Sequence, residues 1–211
     1  MGAAPAGAQM VGVELDETTA RVAAYLHPDQ QVMSAGFEKT MFPENSFSAA
    51  VGNVPFGRYS VVDKTHNGQG HSIHNHFILK SLRLTAPGGY VAVITSTHTM
   101  DAKRETARRE MARYADLVGA VRLPNGAMAA SAGTDVKMDV LVFRRRKPTE
   151  KVDQDRVAGW VEADTLAVRD PEGNEHEVSY SKWFKDHPER VVGEAGYASS
   201  AFGPTYAVRA E

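Results

Sequence analysis

Phe47-Ser48-Ala49-Ala50-Val51-Gly52-Asn53-Val54-Pro55-Phe56-Gly57 places a polar grip at the exit of an apolar strand. The Asn53 side chain offers one carbonyl, the peptide of Val54 offers a second held extended by Pro55, and Phe56 offers a flat ring. Two acceptors on the two hydrogens of an exocyclic amine fix its orientation and favour a localised nitrogen lone pair, while the ring stacks on the base that carries it. Asn53, Val54, Pro55 and Phe56 are therefore the candidate catalytic residues, suited to methylating an adenine amine. The same string also suits an ordinary turn, so the flanking sequence has to separate the two readings.

With 211 residues, 42% of them hydrophobic and 24% charged, the chain can bury one good core. We expect a main domain over 1–147 and an acidic extension over 148–211. No apolar run approaches a membrane span and the first residues lack a basic start, so a cytoplasmic protein with no membrane partner is expected. The absence of cysteine excludes disulfides, thiolate metal sites and the thiolate attack expected for methylating carbon 5 of cytosine. The net charge of −2 hides an uneven distribution: −4 over residues 1–57, +8 over 58–147 and −6 over 148–211. A basic middle third suits a phosphate backbone, although solvated helix faces give the same count.

Outward from the grip, Met10 to Leu15 and Gln31 to Ala35 read as strands, with a helix between them capped at Asp16. Arg58 to Gly70 is polar and reads as a mobile loop. Ser72 to Leu84 keeps helical spacing, and Pro87-Gly88-Gly89 turns into a buried strand, Tyr90 to Thr95. Asp101 to Tyr114 reads as a helix, followed by strands over Leu117 to Leu123 and Val136 to Arg144 with a loop between them. This is an α/β layered order, mainly parallel, with an antiparallel finish. Beyond Pro148 we expect a partly ordered segment with a Trp160 strand, a turn over Asp170 to Asn174, a short helix over Ser181 to His187 and a Gly/Ala/Ser-rich end.

Ligands of open α/β sheets gather at the carboxyl ends of the strands. Glu14 ends the first strand, where two carboxylate oxygens match two vicinal ribose hydroxyls; Asp16 suits a helix cap instead. Phe37 and Glu38 stand at the exit of the next strand, and Phe37 can wall a cofactor adenine or simply fill the core. His66, His71, His74 and His76 suggest a metal, but no second carboxylate or thiolate motif accompanies them and a helix from Ser72 sends His74 and His76 to divergent faces. No metal is expected. Lys64, Asn67 and His71 are candidate loop contacts to nucleic acid, and Gly133-Thr134-Asp135 with Lys137 suits either a pocket wall or a hairpin turn.

Val11-Gly12-Val13-Glu14-Leu15-Asp16, Gly36-Phe37-Glu38, Val51 to Gly57, Ile73-His74-Asn75, Pro87-Gly88-Gly89, Arg122-Leu123-Pro124-Asn125 and Gly133-Thr134-Asp135-Val136 stand in the order seen in amino-group-specific adenine DNA methyltransferases. The chain resembles the methylase part of large phage and mobile-element proteins that join an adenine methylase to a helicase, and His187 to Glu194 resembles the segment that follows it. The resemblance implies a Rossmann-like fold, S-adenosylmethionine as cofactor, DNA with a flipped adenine as substrate, and a helicase domain as a partner. It implies that Asn53 and the Val54 carbonyl hold the amine, that Phe56 stacks on the base, that Glu14 binds the cofactor ribose and that Phe37, followed by Glu38, lies by the cofactor adenine. Most such enzymes have proline where Val54 stands, an exchange that keeps the carbonyl.

In the related fold a first strand and a glycine-rich turn receive the methionine end of the cofactor, and that strand lies between the Met10 to Leu15 and Phe47 to Gly52 strands. Here only Gly2 to Gln9 precede. Without it two strand edges lack partners, and either those strands close directly on each other, a partner supplies the strand, or the chain is a fragment; we expect a fragment, with a catalytic core truncated at its start and weak binding of S-adenosylmethionine by the chain alone. Two other functions fit the residues: an amine methylase acting on RNA or protein glutamine, and a non-catalytic module that binds DNA or a helicase.

Overall fold

The computed structural model describes residues 5–127 and 137–210. Two parallel strands come first, β1 (Val11–Glu14) and β2 (Gln31–Ser34), joined by α1 (Glu17–Leu26). As expected, Asp16 caps α1, its carboxylate accepting from the Thr19 amide at 2.7 Å. The central sheet has the order β3 (Phe47–Asn53), β4 (Thr85–Ser96), β6 (Met138–Arg145), β5 (Ala115–Arg122). β3 and β4 run parallel, with α2 (Ile73–Leu84) between them, and β6 is antiparallel to both β4 and β5.

Alternation in β4 and β6 buries Val91, Val93, Leu141 and Phe143, and α2 lays Ile78, Leu79 and Leu82 onto that core without exposed surface. Pro87-Gly88-Gly89 does not end one element and start another. It bulges within one long strand, so that Phe47 faces Thr85 while Ala49 already faces Tyr90. Gly89 is required there, because a Cβ would lie against the Ser48 carbonyl oxygen.

The helix expected over Asp101 to Tyr114 is two helices, α3 (His98–Asp101) and α4 (Thr106–Ala112). The break follows from Arg108, which is 1% exposed and donates to the Thr99 carbonyl at 3.0 Å and the Ala102 carbonyl at 2.7 Å. Those oxygens are the ones a continuous helix would have used for itself.

Residues 148–210 pack more closely than the sequence suggests. Trp160 lies in a helix, α5 (Gln154–Val161), because Asp153 caps the segment, accepting from the Arg156 amide at 3.1 Å. β7 (Ala163–Arg169) and β8 (Glu175–Ser181) form a hairpin around the expected Asp170 to Asn174 turn, and α6 (Lys182–Asp186) follows. The Gly/Ala/Ser-rich end is a second hairpin, β9 (Glu194–Ser200) and β10 (Gly203–Arg209). Trp160, Val168, Tyr180, Phe184 and Tyr206 belong to the same hydrophobic cluster as the central sheet.

Arg122 ties the two parts together. Fully buried, it donates to both oxygens of Asp139 at 2.8 Å and to Asp101 at 2.9 Å. Asp101 also accepts from the Tyr206 hydroxyl and from the Ser181 amide. The guanidinium lies 4.1 Å from the Phe184 ring and 4.8 Å from that of Tyr180. Burial pushes the Asp139 carboxyl up, against the opposing charge and bonds of Arg122, which itself holds its proton more firmly than usual despite burial.

Candidate active site

Among the described residues β1 pairs with β2 alone and β3 with β4 alone, so the facing edges of β1 and β3 have no strand partner. A groove of about 260 Å³ separates them. Val11 and Val13 line one wall, Val51 and Asn53 the other, and Phe37 and Phe77 lie between. Val51 on this wall is 79% exposed.

Asn53 ends β3 at the mouth of this groove, exposed, and no described group bonds its side-chain amide. Val54 is buried, its amide donating to the Ile94 carbonyl at 3.0 Å. Among the described residues no donor reaches the Val54 carbonyl, so both acceptors of the grip are available. Phe56 is half-buried and packs against the hydrophobic core, outside the groove lining. Gly57 is pressed by the Tyr59 ring, since a Cβ there would lie 2.5 Å from a ring carbon.

Phe37 sits at the groove with its ring 4.9 Å from that of Phe77. Glu14 and Glu38 flank the groove rather than line it. One Glu14 carboxylate oxygen accepts from the Asp16 amide at 3.0 Å, and the Glu38 carboxylate folds back over Gly36. The structure thus gathers Asn53, Val54 and Phe37 around one space and holds Glu14, Glu38 and Phe56 at its margins.

The segment after the grip is packed, contrary to the expectation of a mobile loop. Asn67 bonds Ser60, the Val61 carbonyl and the His71 backbone, and Asp63, His66 and Asn67 are buried. Asp63 meets Lys80 and His76, each at 3.1 Å, and Lys80 also donates to the carbonyls of Phe37 and Thr40 at 2.7 and 3.0 Å. Burial works against ionised Asp63, but the bonds from His76, the His66 amide and Lys80 prevail and hold its carboxyl far below the usual range. His71 is taken by Glu110 at 2.7 Å, so of the three expected nucleic-acid contacts only Lys64 is exposed and uncommitted. Among the described residues no cluster of three or more His, Cys, Asp or Glu is placed to hold a metal.

Much of the basic excess of the middle third is structural: Lys80, Arg108, Arg122 and Arg146 are all buried. Gly133-Thr134-Asp135 lies outside the described residues. Two histidines near the grip, His74 from the expected cluster and His98, which carried no sequence signal, are held neutral. Burial first, and then the charge of nearby His98, push His74 down to about 4; burial and then Arg58 lower His98. Arg58, next to Gly57, lies with its guanidinium 4.2 Å from the ring of Phe202 on the β9–β10 hairpin. No helix among the described residues is long and apolar enough to cross a membrane.

The strand order and the crossover helix are those of a Rossmann-like α/β fold, the fold also found in S-adenosylmethionine-dependent methyltransferases. Solved structures agree. A protein described as a class I S-adenosylmethionine-dependent methyltransferase from Listeria monocytogenes matches 69% of this chain with a TM-score of 0.55 at 18% identity. One described as the modification subunit of a type I restriction enzyme from Vibrio vulnificus YJ016 matches 94% with a TM-score of 0.53 at 17% identity. The chain spans 47% and 46% of those two chains. In sequence it is 31% identical over 156 residues to the Defense against restriction protein B of Escherichia phage P1, covering 71% of this chain and 7% of that protein. No family model matches the chain.

Proposed function

We propose that this chain is the base-gripping part of an enzyme that methylates the exocyclic amine of adenine in DNA. The observation that carries the reading is the pair of acceptors that no described residue engages, the Asn53 amide oxygen and the Val54 carbonyl, at a groove walled by Phe37. Asn53 and Val54 would each accept one amine hydrogen and turn the nitrogen lone pair toward the methyl donor. Phe56, half-buried against the core and outside the groove lining, would fix the loop that carries the two acceptors. As the carbon–nitrogen bond forms, one amine proton leaves to water.

S-adenosylmethionine would supply the methyl group from its sulfonium. The groove fits part of that molecule: Phe37 offers a face for an adenine, and the second Glu14 oxygen remains for a ribose. Nothing described receives the methionine end, and the open edges of β1 and β3 fit a parallel strand that would. We therefore read the chain as part of a larger catalytic unit in which a strand–turn–helix segment enters the groove. The likeness to a type I modification subunit and to the phage P1 protein supports a restriction-modification or phage setting, with DNA and further subunits or a helicase as partners.

The test is methyl transfer from labelled cofactor, with the glycine-rich segment joined to the chain or supplied beside it. N6-methyladenine recovered from digested DNA supports the reading, and label in RNA or protein glutamine replaces the substrate. No transfer in either arrangement overturns the enzyme. Asn53→Ala should cut transfer by about 10²- to 10³-fold, the scale for losing one pre-placed polar group.

A further inference from the structure

The β9–β10 hairpin ends in a two-residue turn, Ala201-Phe202, closed by Ser200, whose hydroxyl donates to the Gly203 carbonyl at 2.9 Å and accepts from the Phe202 amide at 3.2 Å. Gly203 has φ +104°, which few other residues adopt. The turn is thus built to present Phe202, and it presents it bare: the side chain is 79% exposed. A phenylalanine at a tight hairpin tip gains nothing for folding there. Among the described residues Arg58, immediately after the grip, lies over its ring.

The base of the hairpin is fixed. Lys137 donates to Thr205 and to the Tyr206 carbonyl at 2.9 and 2.8 Å and lies 3.9 Å from the Tyr206 ring centroid. Asn125 and Val208 exchange two bonds, at 2.7 and 2.8 Å. The Lys137 carbonyl in turn accepts from Thr97, just past the carboxyl end of β4, the strand beside β3. A rigid arm therefore rises from the carboxyl edge of the sheet and sets an aromatic ring over a guanidinium beside Asn53 to Gly57.

We propose that Phe202, backed by Arg58, stacks on the DNA base next to the adenine held at Asn53 and fills the place that adenine vacates. The proposal rests on the adenine-methylating reading. A ring and a guanidinium at the same point are the two groups that stack on bases without regard to sequence, and Arg58 adds a cation for the adjoining phosphate.

The experiment is fluorescence anisotropy with a labelled adenine-containing oligonucleotide, single-stranded and duplex, with 2-aminopurine emission beside the adenine as a second readout. Phe202→Ala should weaken binding roughly 5- to 150-fold, the span of base–aromatic stacking, and lower the 2-aminopurine response, while Phe202→Tyr restores both. The slope of affinity against salt should stay unchanged in Phe202→Ala and fall by about 1 in Arg58→Ala. Because Phe202 is exposed, the thermal midpoint of Phe202→Ala should match the parent. If the parent binds DNA and Phe202→Ala binds within twofold of it, the hairpin role is overturned and the adenine reading stands. If the parent binds no DNA, both fall.

Discussion

Tyr206→Phe removes one hydroxyl and leaves the ring in place against Tyr180, 5.1 Å away, and beneath Lys137. The lost bond is to Asp101, a carboxylate that also serves Arg122 and the Ser181 amide. A hydrogen bond to a charged group contributes about 1.5–3 kcal/mol, and the oxygen left behind belongs to a largely buried side chain. At about 2–4 °C per kcal/mol for a chain of this size, the thermal midpoint should fall by roughly 3–12 °C. Arg122→Met should cost more, about 3–5 kcal/mol, because two carboxylates then lose their shared cation. Urea unfolding followed by the fluorescence of Trp160, which is 1% exposed, measures both. Tyr206→Phe and Asp101→Asn should be less than additive in a double-mutant cycle. A loss below about 0.5 kcal/mol for Tyr206→Phe, well under the range for such a bond, would show that Asp101 does not depend on the tail, and the joint core would have to be abandoned.

The remaining predictions concern pH and the Lys80 clamp. His66, His74, His76 and His98 are all held below the ordinary value of 6.5, with burial as the leading cause. Each takes up a proton more readily when unfolded, so stability is full above about pH 6.5 and declines as pH falls. His74 alone, at about 4, should cost roughly 2 kcal/mol by pH 5; a melting midpoint that stays level from pH 7.5 to 5 would contradict this. Asp63 adds a second decline below its ordinary value of 3.8, since its carboxyl is held down in the fold and that stabilisation disappears as it protonates. Lys80→Met should lower stability by about 3 kcal/mol by stranding the buried Asp63 carboxylate, and Asp63→Asn in the same protein should recover part of it in urea unfolding.

The parts of the fold read correctly from sequence were those in which local preference and tertiary packing agree. β1, β2, β3, α1 and α2 follow from periodicity and from one cap, Asp16, whose bond is local. The missed features depend on partners far along the chain. Arg108 breaks a helix by taking carbonyls whose neighbours promise continuity, and Arg122 reads as one more charge in a basic region although Asp101 and Asp139 neutralise it inside the core. Trp160 suggested a strand by its own preference, while Asp153 seven residues earlier had already set a helix. Within the candidate site, Asn53 and Val54 were legible because one peptide segment carries both acceptors. The approach of Phe202 to Arg58 was not, because nothing local relates a residue near the end of the chain to one 144 positions before it.

The shared core sets where this polypeptide can be divided. Charge and composition suggest a seam at Lys147-Pro148, yet a cut there would remove the rings of Tyr180, Phe184 and Tyr206 that enclose the Arg122 guanidinium. It would also take away two donors from Asp101 and the helix that covers Phe143 with Trp160. The acidic tail is thus a wall of the same room, and a gene rearrangement that separated it from the sheet would deliver one piece with a wet, ionised interior and another with its rings laid bare.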